Sequence, residues 1–121
     1  MRKAVETAAQ VCPVEVAVAV LGGTWKLTIV KYLLEGTLRF GELGRLLPLA
    51  GARTLTRQLR ELEEDGVVDR KVFAQVPPKV EYSLTALGRS LENIVADLDR
   101  WGTNYASAAA QLGERAQQKS G

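Results

Sequence analysis

The segment of residues 54–85 limits the possible folds of this chain more than any other part of its 121 residues. Its sequence is TLTRQLRELEEDGVVDRKVFAQVPPKVEYSLT. Leucines at helical spacing predict a helix over residues 52–65, and Gly66 is of the residue type favoured just after a helix end. Two strands are then predicted at residues 67–74 and 79–84. The two prolines between them suit a stiff projecting loop, because proline cannot sit inside a paired central strand.

Two helices are predicted upstream of this segment. Pro13 suits the first position of a helix, where its missing N–H is not needed, and the apolar residues that follow extend the helix to Leu21. Thr24 is suited to cap the second helix, whose apolar residues recur near helical spacing until Gly36 closes it. A tight turn joins the two helices, which are expected to pack against each other.

A helix-turn-helix pair is predicted between these helices and the hairpin. An extended link at residues 38–40 leads into a brief helix ended by Pro48, and a loop at residues 49–51 precedes the helix at residues 52–65. This turn has the length of a helix-turn-helix motif. With the hairpin as a wing, the predicted fold is a winged helix-turn-helix, which is mainly α with a small β-hairpin (α+β).

Residues 1–121 are predicted to form a single domain. The C-terminal part of this domain is predicted to join two copies of the chain. Thr85 caps a helix whose apolar residues alternate by four and three positions, which is the pattern of a heptad seam. The seam residues are Leu87, Leu91, Ile94, Leu98, Trp101, Tyr105, Ala108 and Leu112. Residues 86–112 are therefore predicted as a dimerisation helix, alongside an N-terminal one. Gly102 predicts a kink or a close helix contact there, and the polar tail at residues 113–121 is expected to fray.

The first half of the helix at residues 52–65 is predicted to face DNA. Arg53, Arg57 and Arg60 carry its positive charge, whereas the acids are confined to its far end. A recognition helix enters the major groove by its N-terminal part, so this order puts cations at the DNA. Arginine suits guanine and glutamine suits adenine, so the predicted base contacts are Arg53, Arg57 and Gln58. The alternative is an ordinary solvated helix face.

Further contacts to double-stranded DNA are predicted around this helix. Thr54 and Thr56 are candidates to bond a phosphate or to contact a thymine methyl group. Lys79 at the wing tip and Lys71 nearby are placed to reach phosphate or the minor groove. Arg39 is a candidate for contact with the DNA backbone.

Composition excludes several other classes of site. The formal net charge is +2 and the pI about 8.8, which permits nucleic acid as a partner without demanding it. The chain has one cysteine and no histidine, so zinc-finger spacing is excluded and the commonest general base is missing. No nucleophile elbow, phosphate-binding loop or pair of catalytic carboxylates is present. We therefore expect no enzyme, no catalytic residues, no metal and no cofactor.

The N-terminal region does not read as a secretory signal or a membrane span. Glu6, Gln10, Pro13 and Glu15 interrupt its apolar residues, and the unbroken run at residues 16–21 is too short to cross a bilayer. A cytoplasmic protein without membrane contact is expected by default. The alternative to DNA binding is a winged-helix module used for protein–protein assembly.

Several short motifs follow one another along the chain. They are Cys12-Pro13, Gly22-Gly23 with Trp25-Lys26, Arg39-Phe40-Gly41-Glu42-Leu43, Leu55-Thr56 with Leu59-Arg60-Glu61-Leu62-Glu63, Asp65-Gly66-Val67-Val68, and Val76-Pro77-Pro78 with Val80-Glu81-Tyr82-Ser83-Leu84-Thr85 and Gly88. Their kinds and order resemble those of the HxlR-type, MarR-like winged helix-turn-helix transcription regulators. The resemblance covers about residues 12–102. It implies a homodimer that binds a roughly two-fold operator, with the small-molecule effector unknown. One departure is Gly51, which stands where such proteins usually have Ser or Thr.

The resemblance also raises a regulatory role for Cys12. In some relatives the cysteine before this proline senses electrophiles or oxidants. Cys12 falls at the N-cap of the helix that begins at Pro13, where helix amides favour a thiolate, while Glu15 opposes one. With one thiol in each chain, oxidation can form only an intersubunit or a mixed disulfide. The alternative is a small, half-buried hydrophobic residue.

Overall fold

The computed structural model describes residues 1–120 of the chain, with side chains as far as Ala116. Helices dominate it, and three short strands form one antiparallel sheet. In chain order the elements are α1 (Lys3–Ala8), α2 (Pro13–Leu21), α3 (Lys26–Leu33), β1 (Leu38–Arg39), α4 (Phe40–Leu46), α5 (Ala52–Glu64), β2 (Val68–Phe73), β3 (Lys79–Leu84), α6 (Ala86–Arg89) and α7 (Glu92–Ser120). The predicted fold class, a winged helix-turn-helix of α+β type, is confirmed.

The apolar stripe of α5 lies at the centre of the core. Leu55, Leu59 and Leu62 are each at most 1% exposed, so the predicted core-facing stripe is confirmed. They share the core with Ile29 and Leu33 of α3. Burying a leucine side chain stabilises a fold by roughly 2 kcal/mol, so this stripe fixes which side of α5 remains free.

Glycines mark both ends of α5. Gly51, at the N-cap, has φ +74°, and Gly66, just beyond the last turn, has φ +78°. Both values lie in the left-handed region, which glycine adopts without steric cost. The predicted role of Gly66 at the helix end is confirmed. The predicted capping role of Thr24 is wrong. Helix α3 begins at Lys26 with Trp25 as its N-cap, so Thr24 lies one residue too early to cap it.

The wing is part of a three-stranded sheet with the order β1-β3-β2. The predicted hairpin is present, and β3 has the predicted bounds, whereas β2 is one residue shorter at each end. The link predicted at residues 38–40 is partly a third strand, because Leu38 pairs with Tyr82 and Arg39 with Glu81. A strand of two residues has no alternation that a sequence pattern could detect.

An ion-pair network holds the C-terminal end of α5. The Asp65 carboxylate accepts hydrogen bonds from the backbone N–H of Arg2 at 2.9 Å and from its Nε at 2.8 Å. The Arg2 guanidinium also lies 3.1 Å from Glu61 and donates to the Ala19 carbonyl of α2. Glu61 in turn binds the Nζ of Lys26 at 2.9 Å. The N-terminal segment, α2 and α3 are therefore all tied to the end of α5.

The C-terminal region contains two helices rather than the single helix predicted at residues 86–112. The Thr85 hydroxyl accepts a hydrogen bond from the Gly88 N–H at 3.1 Å, so its predicted capping role is confirmed, but α6 ends after four residues. The long helix α7 begins at Glu92 and passes through Gly102 without a break, so the predicted kink is absent. It continues to Ser120, so residues 113–120 are helical rather than frayed; residue 121 lies outside the described residues.

Two contacts attach α7 to the core. Val95 is 7% exposed and belongs to the core cluster. The Asp99 carboxylate accepts a hydrogen bond from the Lys31 Nζ at 2.9 Å, and this neighbour raises the pKa of Lys31 above its ordinary value. The first turns of α7 therefore lie on α3.

Within residues 1–120, no single helix has both the length and the apolar composition to cross a membrane. Helices α2 and α3 meet those criteria only when taken together, and the chain bends by 78° between them. The same residues hold no group of three or more Asp, Glu or Cys side chains arranged to bind a metal ion.

We expect the substitution Asp65→Ala to lower the free energy of unfolding by about 3 kcal/mol. The Asp65 side chain is 1% exposed, and its removal leaves part of the donor set of Arg2 without an acceptor. Urea titration followed by circular dichroism measures the loss. The control is Asp97→Ala, which breaks an exposed ion pair with Arg100 and should cost less than about 1 kcal/mol. Equal losses in the two variants would contradict a structural role for the network.

Candidate nucleic-acid interface

The free side of α5 carries a ridge of cations. Arg53, Arg57 and Arg60 are all exposed, and none lies within 4.0 Å of a carboxylate among the described side chains. An open groove of about 620 Å³ runs along this side of the helix, between the ridge and Phe40 of α4. We call these three arginines the cationic ridge. Its charges are available to a phosphate or a base edge.

The two threonines of α5 flank the ridge and are half-buried. The Thr56 hydroxyl donates a hydrogen bond to the Ala52 carbonyl at 2.8 Å, so its oxygen lone pairs and methyl group remain for an external partner. Thr54 and Thr56 are thus placed as the sequence predicts, beside the cations and within the first two turns of α5.

The predicted position of Gln58 on the exposed face of α5 is wrong. Gln58 was predicted on the free face as a base contact, but it is 7% exposed and lies on the core side of α5. Its position is three residues after Leu55 and four before Leu62, so the helical period places it in the same stripe. Its amide lies beside the turn at Gly23, and its Oε1 has no hydrogen-bond partner among the described residues. Gln58 therefore belongs to the packing of α5, not to a surface that reads bases.

The three cations predicted outside α5 lie together on one face of the sheet. Arg39 and Lys71 are the two register partners of Glu81, on opposite sides of β3, and the Nζ of Lys79 lies 2.9 Å from Glu81. Residues directly opposite in a sheet share a face. Glu81 is thus ion-paired with Lys79, and its two neighbours across the strands are also cations. Both lysine ammonium groups also lie over the Phe73 ring, 4.9 Å and 4.8 Å from its centroid.

A second cleft, which the sequence did not predict, separates α5 from the wing. It has a volume of about 290 Å³ and is lined by Thr56, Arg60, Glu63, Arg70 and Tyr82. We call it the helix–wing cleft. Arg70 is the residue that sequence reasoning missed. The alternation of β2 could have found it, because Arg70 is two residues after the buried Val68 and so shares its face.

The predicted dimer seam is largely exposed. Leu91 is half-buried against the core, whereas Ile94, Leu98, Trp101 and Tyr105 are 46–65% exposed, and the two aromatic rings stack with centroids 5.3 Å apart. Leu87, Ala108 and Leu112 are exposed too, although Leu87 lies on α6 rather than on the long helix.

The apolar surface of α7 continues onto α2. Val14 and Val18 of α2 are 69% and 54% exposed, and both line an almost wholly apolar groove of about 380 Å³ with Ile94 and Leu98 of α7. An exposed apolar surface of this extent marks a binding surface for another macromolecule. The N- and C-terminal helices predicted for dimerisation therefore share one surface.

Cys12 is the N-cap residue of α2, as predicted. Its thiol is free and half-buried, and its side chain makes no capping hydrogen bond. No cationic side chain is bonded to it among residues 1–116. The half-buried position is compatible both with a reactive thiol and with a small packing residue.

The chain matches a family model described as HxlR-like helix-turn-helix over residues 20–110. It is 50% identical over 94 residues to the HTH-type transcriptional regulator YdeP of Bacillus subtilis, a match that covers 78% of this chain and 73% of that protein. Among solved structures, it is similar to the redox regulator HypR. The oxidised form has 52% identity and a TM-score of 0.73, covering 77% of this chain and 96% of that one. The reduced form has 47% identity and a TM-score of 0.79, covering 83% and 99%.

We expect Gln58→Leu to raise the free energy of unfolding by about 1 kcal/mol, because it removes a buried acceptor without a partner and keeps a similar volume. The DNA-sequence preference of the variant should match that of the parent protein. Thermal unfolding and selection of bound sites from a random duplex library measure the two quantities. A changed base preference with unchanged stability would show instead that Gln58 contacts a base.

Proposed function

Because this chain belongs to the HxlR-like helix-turn-helix family of transcription regulators, we propose that it binds an operator sequence as a homodimer, with α5 in the major groove. Regulators of this family bind DNA and act as dimers. The observation that carries the proposal is the cationic ridge, whose arginines have no acidic partner among the described side chains. A protein with this function would act in the cytoplasm, where the DNA lies.

The proposed base contacts are Arg53 and Arg57, with Thr54 and Thr56 beside them. The N-terminal half of a recognition helix is the part that reaches base edges. Two of the acids at the other end of α5, Glu61 and Asp65, are bound to Lys26 and Arg2. The other two, Glu63 and Glu64, are exposed and lie in the last turn of α5, away from Arg53 and Arg57. Arg39, Lys71 and Lys79 are proposed to contact the DNA backbone from the sheet.

The proposed dimer joins two copies through the apolar surface of α2 and α7. The exposed side chains of Ile94, Leu98 and Trp101 would leave water on pairing, which stabilises association by roughly 25 cal/mol for each Å² of apolar area removed. Two-fold pairing would present the two α5 helices to successive major grooves, about 34 Å apart. A protein–protein assembly module without DNA is the competing function, and no observation favours it.

We expect Arg57→Ala to weaken binding to the operator by about 1–3 kcal/mol and to relax preference at one base pair, because an arginine contact to a guanine is lost. Fluorescence anisotropy with operator and scrambled duplexes measures both effects. The matched control is Arg89→Ala on α6, an exposed arginine outside the cationic ridge, which should bind as the parent does. An equal loss on scrambled DNA would make Arg57 a phosphate contact only.

We further propose that oxidation or electrophile modification of Cys12 regulates DNA binding. The support is its N-cap position on α2, one of the two helices of the proposed dimer surface, and the similarity of the chain to a redox regulator. With one thiol in each chain, a disulfide must involve the partner copy or a small thiol.

We expect Cys12→Ser to retain operator affinity but to lose the response to diamide, since serine cannot form a disulfide. Gel shift of the parent and variant proteins, before and after diamide treatment, measures the difference. The free thiol count and the intact mass identify which disulfide the parent forms. Identical diamide responses of the two proteins would assign Cys12 a packing role alone.

A further inference from the structure

The helix–wing cleft adjoins the cationic ridge and shares Arg60 with it. Thr56 and Arg60 of α5 line both this cleft and the open groove along α5, so the two cavities flank the same part of the helix. Arg70 and Tyr82 are opposite each other in the β2–β3 register, so both lie on the sheet face turned toward α5. The cleft is therefore bounded by the recognition helix on one side and by the base of the wing on the other.

The two arginines of the cleft, Arg60 and Arg70, have no ion-pair partner among the described side chains. Neither Arg60 nor Arg70 lies within 4.0 Å of a carboxylate in the described part of the chain, although Glu63 lines the same cavity. With Glu63 counted, two guanidinium groups and one carboxylate give the cleft a formal charge of +1. That charge matches the single negative charge of one phosphodiester.

We propose that the helix–wing cleft binds a phosphate of the DNA backbone, and that Arg60 and Arg70 are the residues that hold it. The inference rests on the proposed function, because it takes α5 to lie in a major groove. If the wing then reaches the adjacent minor groove, the phosphate backbone between these grooves must pass between α5 and the wing. The helix–wing cleft is the cavity between α5 and the wing through which this backbone would pass.

The lining groups suit a phosphate. A guanidinium presents planar N–H donors that match two phosphate oxygens at once. The Tyr82 hydroxyl is a further donor, whereas the Thr56 hydroxyl already donates to Ala52. One guanidinium comes from the helix and one from the sheet, so a bound phosphate would connect the recognition helix to the wing.

Glu63 opposes the phosphate and sets a direction for a test. Its carboxylate lines the same cavity and repels an anion. We therefore expect Glu63→Gln to strengthen binding to operator and to scrambled DNA by the same factor. A backbone contact carries no sequence information, so a changed preference between the two duplexes contradicts the assignment.

The main experiment measures how the DNA-binding constant depends on salt concentration. For Arg70→Ala, the slope of log Kobs against log salt should become shallower by up to about 2 units in a dimer, since each phosphate contact contributes about 0.9. Arg60→Ala should act in the same way, and both variants should keep the parent preference for operator over scrambled DNA. Arg89→Ala removes the same charge outside the cleft and should keep the parent slope.

The outcomes separate this inference from the function on which it rests. If the parent protein binds its operator while Arg70→Ala and Arg60→Ala keep the parent slope, the phosphate site is wrong and the regulator remains. If the parent protein binds no DNA, the proposed function itself fails.

A free anion is the other source of the same chemistry. Inorganic phosphate titrated into the DNA-free protein, with the arginine Nε–H signals followed by NMR, distinguishes the two sources. Saturable shifts at Arg60 and Arg70 with phosphate alone, together with the parent salt slope in both arginine variants, would assign the cleft to a free anion and overturn the backbone contact. Shifts only on addition of operator duplex support it.

Discussion

The ion pair between Arg2 and the buried carboxylate of Asp65 fixes the end of the helix on which the interface depends. Asp65 terminates α5, and its carboxylate bonds the backbone and the side chain of Arg2, which also reaches Glu61 and α2. Lys26, only 3% exposed, completes the network through Glu61. A buried charge is tolerated only when it is paired, so these groups must adopt one arrangement.

The same network divides the charges of α5. Acids at a helix C-terminus oppose the helix dipole, and here Arg2 and Lys26 offset two of them, Glu61 and Asp65. Arg53 and Arg57, in the first half of α5, have no carboxylate within 4.0 Å among the described residues. The exposed side of that half is therefore cationic, although the whole chain carries only +2. Distribution of charge, rather than its total, therefore makes this surface suited to DNA.

The sequence predicts those elements and side-chain positions that follow from a local pattern, and it does not predict those that depend on partners distant in the chain. The core stripe of α5 and the bounds of β3 follow from periodicity, and the charge order of α5 predicts the ridge. Gln58 was misplaced because a polar residue type was given more weight than its angular position between buried leucines. The first helix, α1, and β1 are too short to show a periodic pattern in the sequence. Their positions depend instead on partners distant in the sequence, such as Asp65 for the start of α1 and Tyr82 for β1. Arg70 required the strand register for its face to be assigned.

Two copies, joined through α2 and α7, are proposed to present two recognition helices to one face of the DNA. Hydroxyl-radical footprinting of the bound operator, with the protein-to-duplex ratio measured on the same complex, measures this arrangement. We expect two chains per duplex and protected segments on one face, with half-site centres about 10 base pairs apart. A single protected half-site with one chain bound would contradict it.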